Sequence, residues 1–512
     1  MSQSLLRRAG KAVILNALGN WIGLIGGMLS LVFIARILSP MDFGIYGMTL
    51  VVFAIPEIFA SDSLNDSLIQ RPDLRDGHVN SIFIQSLVLA FIFWGGVNLL
   101  APLIAQGFDE PALAPMIRMF SIVLFLGALT SVPSALLQRD LRYREITIVD
   151  VIGTISAAVI GVTLAILLKS AWALVFMEIS RRVIRLVAFA ILARWRPSFQ
   201  STWVETRELT QFNSRNVLSK LVLAVDQALP RVFIGGALGP AALGMYNMSV
   251  RMLDQARAAL VTPFAAVSLP VASQAQNDLP TLHRAMEGAM RLAALVVYPA
   301  FIGAAVIAPI AVPFVFGGQW VPAVTVIQIS LLSGIRAPTS AFNTGVLNGV
   351  GRVDWTLKMF TTGLALSVVF VLATIQFGLE AVALALLVKT FLIWALGAYA
   401  VKSVIGFPMH RQVVAGWQAL VASFAMGAIV WLCMHQLPVA MEPLVKLAIL
   451  VPLGALAYIG ILAILMPRLA LRAVQASTMI VQGRRQEAIS LVKSAVYAGS
   501  QPPVAASNAA TP

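Results

Sequence analysis

Charged side chains are scarce in this chain. Asp, Glu, Lys and Arg make up only 11% of its 512 residues, whereas a soluble protein of this size carries about 25%. Hydrophobic residues make up 59%, which is more than a water-soluble fold can cover with a polar surface. The composition therefore excludes a soluble fold of this length and indicates a polytopic membrane protein.

Cysteine and histidine are also rare, which limits the disulfides, metal sites and catalytic groups that the chain can form. The single cysteine, Cys433, lies in an apolar run and cannot form a disulfide within the chain. The four histidines, His78, His283, His410 and His435, lack the spacing of metal ligands. The sequence has no Ser-His-Asp or Cys-His constellation and no GxxxxGK[ST] loop. We expect no catalytic residue, no metal and no cofactor, so the chain is not predicted to be an enzyme.

Long apolar runs dominate the sequence instead. Each is about 20 residues long, the length that a helix needs to cross a bilayer. They predict an all-α polytopic membrane protein with 14 transmembrane helices. The predicted spans are 12–38, 43–62, 80–105, 115–137, 147–168, 171–192, 214–238, 242–268, 289–316, 320–346, 357–377, 379–401, 414–435 and 444–466.

The net charge of +14 comes largely from lysines and arginines in the loops between the predicted spans. With the N-terminus placed in the cytoplasm, nearly all lysines and arginines outside the spans fall in cytoplasmic loops and flanks. This asymmetry is typical of inner-membrane proteins and predicts that both termini are cytoplasmic. It explains the positive charge without nucleic-acid binding, which we do not expect.

Two segments 200 residues apart are alike. ARILSPMDFGIYGM, at 35–48, aligns with GGALGPAALGMYNM, at 235–248. The alignment pairs Asn16 with Asn216, Pro40 with Pro240, Gly44 with Gly244, Tyr46 with Tyr246 and Met48 with Met248. An even number of predicted spans separates the copies, so both run in the same direction. The repeat predicts two parallel six-helix lobes related by an axis along the membrane normal.

The predicted organisation follows from the repeat and the loops. An N-terminal six-helix lobe covers 1–192, and a cytoplasmic linker covers 193–213. A C-terminal six-helix lobe covers 214–402, and two additional helices, 13 and 14, occupy 403–466. The remainder, 467–512, is predicted to be a cytoplasmic tail that is partly disordered, because its end is small, polar and rich in proline.

Two motifs carry a family resemblance. ARILSPMDFGIYGM in the first hairpin and LLQRDLRYRE, at 136–145, resemble the polysaccharide-transport branch of the multidrug/oligosaccharidyl-lipid/polysaccharide (MOP) flippase superfamily, the Wzx-type flippases of O-antigen and exopolysaccharide units. The resemblance covers residues 1–466. It implies a fold like that of the multidrug and toxin extruders, with the two extra helices of lipid II flippases.

The same resemblance implies a function and a location. A protein of this type moves undecaprenyl-diphosphate-linked oligosaccharide from the cytoplasmic to the periplasmic leaflet of the bacterial inner membrane, by alternating access. The partners implied are this polyprenyl-diphosphate-linked oligosaccharide, membrane lipid, and polysaccharide polymerase or export machinery.

Charged residues inside the spans are the candidate site, because charges in a bilayer are costly and mark function by default. Arginine is the side chain best suited to phosphate. The substrate-binding candidates are Arg36, Arg231, Arg251, Arg336 and Lys389. The candidates for ion coupling are Asp226 and Asp254, and the polar cavity candidates are Asn16 and Asn216.

Each candidate has a structural alternative. Arg36 lies near a helix end, where it can reach the membrane interface. Arg251, Asp254 and Arg257 are spaced by three and can neutralise one another. Asp226 can be the partner of an arginine, and the two asparagines can join helices. Glu178 precedes Arg181 and Arg182 by three and four residues, which predicts a local ion pair.

Two other functions are compatible with a chain of this kind. A cation-coupled exporter of small drugs uses the same fold, but it typically stops at twelve spans and lacks this hairpin motif. A glycan polymerase or ligase of the same pathway also has many spans, but it generally carries a long outward loop, which this sequence does not predict.

Overall fold

The computed structural model of the chain is helical throughout the part that it describes. The described residues are 21–62, 68–69, 74–198, 203–265, 278–467, 471 and 475, with the side chains of 61–62, 203–216 and 219 excepted. No strand occurs within these ranges. Asn16 lies outside them, and the side chain of Asn216 is one of those excepted.

The helices follow the apolar runs. In chain order they are α1 Trp21–Ile37, α2 Pro40–Glu57, α3 Asp76–Gly107, α4 Leu113–Phe120, α5 Ile122–Arg139, α6 Tyr143–Leu168, α7 Trp172–Ala193, α8 Trp203–Leu260, α9 Leu279–Phe316, α10 Val324–Leu332, α11 Ala337–Gly349, α12 Val353–Thr374, α13 Leu379–Ile405, α14 Met409–Val414, α15 Trp417–Gln436 and α16 Pro443–Leu465. Short 3₁₀ turns at Gly318–Ala323 and Ser333–Arg336 flank α10.

Within the described residues, 11 helices are long and apolar enough to cross a membrane. Three features separate this number from the 14 spans predicted. The described part of α1 is shorter than a full span, and α7 carries several charges. The third is α8, which runs through two predicted spans and is interrupted at Gly239, where φ is +83°. The 14-helix count stays a prediction.

The described contacts divide the chain into two compact units. The first unit comprises Met1–Arg251, Val315–Val326 and Phe360–Leu386, and the second comprises Met252–Phe314, Ile327–Met359 and Leu387–Pro512. The predicted boundaries of the six-helix lobes, the linker, the additional helices and the tail stay predictions.

The first hairpin motif builds the start of α2. Ser39 is the N-cap residue, and Pro40 occupies the first turn, where its missing N–H costs nothing. The Ser39 hydroxyl accepts a hydrogen bond from the Asp42 backbone, and the Asp42 carboxylate accepts one from the Ser39 backbone at 2.9 Å. The other Asp42 oxygen accepts from the Ala171 N–H at 3.0 Å. The motif therefore caps α2 and ties it to the turn before α7.

The two copies of the repeat pack directly against each other in the first unit. A Cβ atom added to Gly44 would lie 1.7 Å from the carbonyl oxygen of Pro240. A Cβ atom added to Gly244 would lie 1.8 Å from the carbonyl oxygen of Pro40. The contact is reciprocal, with each glycine against the proline of the other copy. Only glycine allows the backbones to approach this closely.

The second motif, LLQRDLRYRE, forms the turn between α5 and α6. Leu141 has φ of +56°, in the left-handed region, which reverses the chain. The Arg139 guanidinium donates to the Leu68 carbonyl at 2.8 Å, and that of Arg142 donates to the Leu192 carbonyl at 3.0 Å. These arginines satisfy backbone carbonyls of other segments, so the motif has a structural role.

A charged cluster joins α2 to α7. Glu178 accepts hydrogen bonds from Arg181 at 2.7 and 2.9 Å and from Arg182 at 2.9 Å. Arg182 also donates to Glu57, at the end of α2, at 2.8 Å. The predicted pairing of Glu178 with both arginines is confirmed. Because two carboxylates face two guanidinium groups, the cluster is neutral, which is how a membrane protein buries charge.

The reciprocal contact predicts the effect of one added methyl group. Gly44→Ala and Gly244→Ala each place a Cβ atom inside the van der Waals radius of a backbone oxygen, so the helices must separate. We expect each to destabilise the protein by about 3 kcal/mol, at the upper end of overpacking costs. The measurement is thermal unfolding of the detergent-solubilised protein. Gly236→Ala is the matched control, because its Cβ atom meets nothing within 4 Å.

The charged cluster predicts a second result. Glu178→Gln removes the carboxylate shared by Arg181 and Arg182, and we expect a loss of about 3 kcal/mol, as when a buried pair loses one partner. Asp354→Asn breaks the exposed pair with Arg352 and should cost less than about 1 kcal/mol. Equal shifts of the unfolding temperature in the two variants would show that the cluster contributes no more than a surface pair.

Candidate functional site

Arg336 is a predicted site residue that the structure places in the second unit. It ends the 3₁₀ turn that separates α10 from α11, in the interior of an apolar span. Its Nε atom is buried and has no hydrogen-bond partner among the described residues. Another cation, Arg257 of α8, bonds to Ser333 of the same turn. The second unit therefore holds two adjacent guanidinium groups.

Arg257 is only weakly neutralised. Its Nη1 lies 3.8 Å from the Asp254 carboxylate, whose side chain is 63% exposed, and this distance is too long for a hydrogen bond. Its Nη2 donates to the Ser333 hydroxyl at 3.3 Å. Ser333 lies in the same turn as Arg336. Arg336, Arg257 and Ser333, which we call the arginine pair site, therefore carry more positive charge than Asp254 balances.

Arg257 was not among the residues predicted to bind substrate. Its spacing from Arg251 and Asp254 suggested a self-neutralising triplet, and the structure supports only the long pair between Asp254 and Arg257. Arg251 forms no ion pair within the described part of the chain. The sequence did carry one indication of a surplus charge here, because two arginines, Arg251 and Arg257, share a single aspartate, Asp254.

Arg231 and Arg251, also on α8, belong to the first unit. Arg231 donates to the Asn247 side chain at 3.1 Å and to the Gln227 carbonyl at 2.9 Å, and no described carboxylate pairs with it. Arg251 is half-buried. Both arginines keep a positive charge that the described residues do not neutralise.

Arg36 occupies a different environment. Its side chain is exposed, and Nε donates to the Val315 carbonyl at 2.8 Å. Beside it, Gln319 donates to the carbonyls of Ala35 and Leu38, and the buried Trp320 indole donates to Ala35 at 2.8 Å. The end of α1 is thus held by side chains of residues 319–320. This position at a helix end fits the interfacial alternative, and a cargo role for Arg36 stays a prediction.

The structure also gives the position of Asp226, a candidate for ion coupling, and of Lys389. Asp226 accepts a hydrogen bond from the buried hydroxyl of Ser367 at 2.5 Å, within the first unit. Arg231, its suspected partner, bonds elsewhere. Lys389 is half-buried on α13. The roles of Asp226, Asp254 and Lys389 stay predictions.

Metal ligands do not cluster in the described part of the chain. No group of three or more His, Cys, Asp or Glu side chains lies close enough together there to hold an ion.

Comparison with known proteins relates this arrangement to polysaccharide assembly. The chain is 22% identical over 419 residues to the lipopolysaccharide biosynthesis protein WzxC of Escherichia coli K12, covering 79% of this chain and 84% of that protein. It is 26% identical over 320 residues to the succinoglycan biosynthesis transport protein ExoT of Rhizobium meliloti 1021, covering 62% and 65%.

Solved structures share the fold. A lipid II flippase MurJ in an inward closed conformation superposes with a TM-score of 0.74 at 12% identity, covering 89% of this chain and 99% of that one. An inward-facing multidrug resistance MATE family transporter of the MOP superfamily gives a TM-score of 0.60 at 14% identity, covering 77% and 98%. These likenesses show the fold and confirm that it is of the MurJ and MATE type.

A family model described as "polysaccharide biosynthesis protein" matches residues 33–325, which is more than half of the chain. This range contains both motifs of the predicted resemblance and the reciprocal glycine contact. The chain therefore belongs to the polysaccharide biosynthesis protein family, and its resemblance to the Wzx-type flippases of the MOP superfamily is confirmed.

Proposed function

We propose that this protein is an inner-membrane flippase that moves undecaprenyl-diphosphate-linked oligosaccharide from the cytoplasmic to the periplasmic leaflet by alternating access. Family membership supports this function, as do relatives named for lipopolysaccharide biosynthesis and succinoglycan transport. The fold shared with a lipid II flippase also supports it. Both termini are proposed to be cytoplasmic, on the distribution of lysine and arginine.

The arginine pair site carries the proposal. A guanidinium within a bilayer costs about 2.5–3.5 kcal/mol on insertion scales, and two adjacent ones repel each other. A chain that keeps both, with one exposed aspartate 3.8 Å away, lacks the structural reason that explains the neutral Glu178 cluster. An anionic ligand removes the imbalance. A diphosphate suits it well, because guanidinium groups bind phosphate oxygens in pairs.

The other predicted residues extend this role. Arg231 and Arg251 lie on the same helix as Arg257, and we propose that they meet the cargo at other stages of transport, together with Lys389 and Arg36. Asp226 and Asp254 are proposed to couple transport to an ion or to the membrane potential. Asn16 and Asn216 are proposed to line the polar path.

Cation-coupled drug export is the second candidate, since a MATE transporter shares the fold. The charge of the arginine pair site disfavours it for cationic drugs, because two guanidinium groups repel such a substrate. A glycan polymerase or ligase finds no support among the relatives, which are named as biosynthesis and transport proteins.

The arginine pair site predicts an unusual separation of activity from stability. In a deletion strain, Arg336→Gln and Arg257→Gln should each lower polysaccharide export about tenfold or more, because a charge-assisted hydrogen bond contributes about 1.5–3 kcal/mol. Lipid-linked units should accumulate on the cytoplasmic side. Arg336→Gln should leave the unfolding temperature unchanged or raise it, because its Nε has no described partner to lose.

Arg284→Gln is the control, since that arginine is exposed and its hydrogen bonds to described residues are local, to Pro280 and Thr281. Export at the wild-type level in both Arg336→Gln and Arg257→Gln, at equal expression, would remove the pair from the substrate site. Lipid-linked units on the periplasmic side of the deletion strain would point to a polymerase or ligase. Restored drug resistance in a sensitive strain would favour the exporter.

A further inference from the structure

Asn343 is a polar side chain enclosed by apolar ones. It lies on α11 and is only 1% exposed. Its neighbours along the helix, Phe342 and Val346, belong to the main apolar cluster of the second unit, together with Met359 of α12. Neither Oδ1 nor Nδ2 of Asn343 has a hydrogen-bond partner among the side chains and backbone groups of the described ranges.

A buried amide without hydrogen-bond partners is energetically costly. Leaving one buried donor or acceptor unsatisfied costs about 1–3 kcal/mol, and here neither end of the amide has a partner among the described residues. Buried polar groups without a protein partner in folded proteins are commonly satisfied by an internal water molecule or an ion. The groups around Asn343 distinguish these ligands.

Asn343 lies beside a glycine and one helical turn from further polar atoms. Gly397 of α13 faces it, and a Cβ atom at Gly397 would lie 3.8 Å from the Asn343 Nδ2 and 2.9 Å from the Met359 methyl carbon. One helical turn before Asn343, the Thr339 hydroxyl accepts from the Trp394 indole at 3.0 Å and donates to a backbone carbonyl at 3.2 Å. Its oxygen keeps a second lone pair for another donor.

The chemistry selects a neutral ligand. Arg336, the N-cap residue of α11, lies three residues before Thr339 and seven before Asn343 on the same face of the helix, and its charge disfavours a cation. The Asn343 Oδ1 disfavours an anion, because a carbonyl oxygen repels it. A ligand that satisfies both ends of the amide must donate and accept hydrogen bonds. Water does both, and the two ends of the amide with the Thr339 oxygen supply the two to four partners that a buried water needs.

We infer that Asn343 and Thr339 hold an ordered water molecule inside the second unit, where α11, α12 and α13 meet. This hydration site lies in an apolar cluster and satisfies an amide that has no partner within the described ranges. It goes beyond the proposed transport function, which does not require it.

Radiolytic labelling tests the hydration site, because X-ray radiolysis of a bound water oxidises the side chains that touch it. The experiment uses the full chain in detergent, in water enriched in oxygen-18. Met359, which packs beside Gly397 and Asn343, should take up the label several-fold faster than Met286 and Met290 of the same apolar cluster. Met359 is 8% exposed, and the two reference methionines are 3% and 1% exposed.

Variants separate bound water from this small difference in exposure. Asn343→Leu keeps the size of the side chain and removes its polar atoms, so labelling of Met359 should fall to the level of Met290. Thr339→Val, a milder change, should lower the labelling in part. Met359 labelling in the wild type equal to that of Met290, or labelling that Asn343→Leu and Thr339→Val leave unchanged, would overturn the inference.

Discussion

Charge inside an apolar chain has to be matched, and this constraint separates structural from functional residues here. In the first unit, Glu57 and Glu178 match Arg181 and Arg182, with all hydrogen bonds between 2.7 and 2.9 Å. In the second unit, the arginine pair site is left with surplus charge. The contrast supports the proposal that Arg257 and Arg336 contact cargo, because among the described residues only the long pair with Asp254 balances their charge.

Hydropathy and the repeat predicted most of the architecture. Apolar runs located the helices, because a bilayer demands about 20 such residues for each crossing. The matched Pro and Gly of the two copies predicted a shared role, and the structure adds that the copies contact each other. The sequence predicted two separate spans on either side of Gly239, whereas in the structure α8 continues on both sides of the interruption there.

The site was less predictable, for physical reasons. Spacing along a helix indicates which side chains share a face, but it does not give the distance between their charged atoms. Arg257 and Asp254 therefore looked neutral in sequence and are 3.8 Å apart in the fold. Asn343 gave no signal, because one amide in an apolar run resembles any other polar interruption. Its meaning depends on Gly397, which is 54 positions away and reaches it only through helix packing.

The reciprocal packing of Gly44 and Gly244 has an evolutionary consequence. Duplicated segments usually diverge freely, since an intact copy compensates for changes in the other. Here neither copy can serve as the spare, because each glycine accommodates the proline of its counterpart. Divergence at these four positions must therefore proceed in step, and the ancestral symmetry is preserved at the point where the copies touch while the remaining sequence drifts.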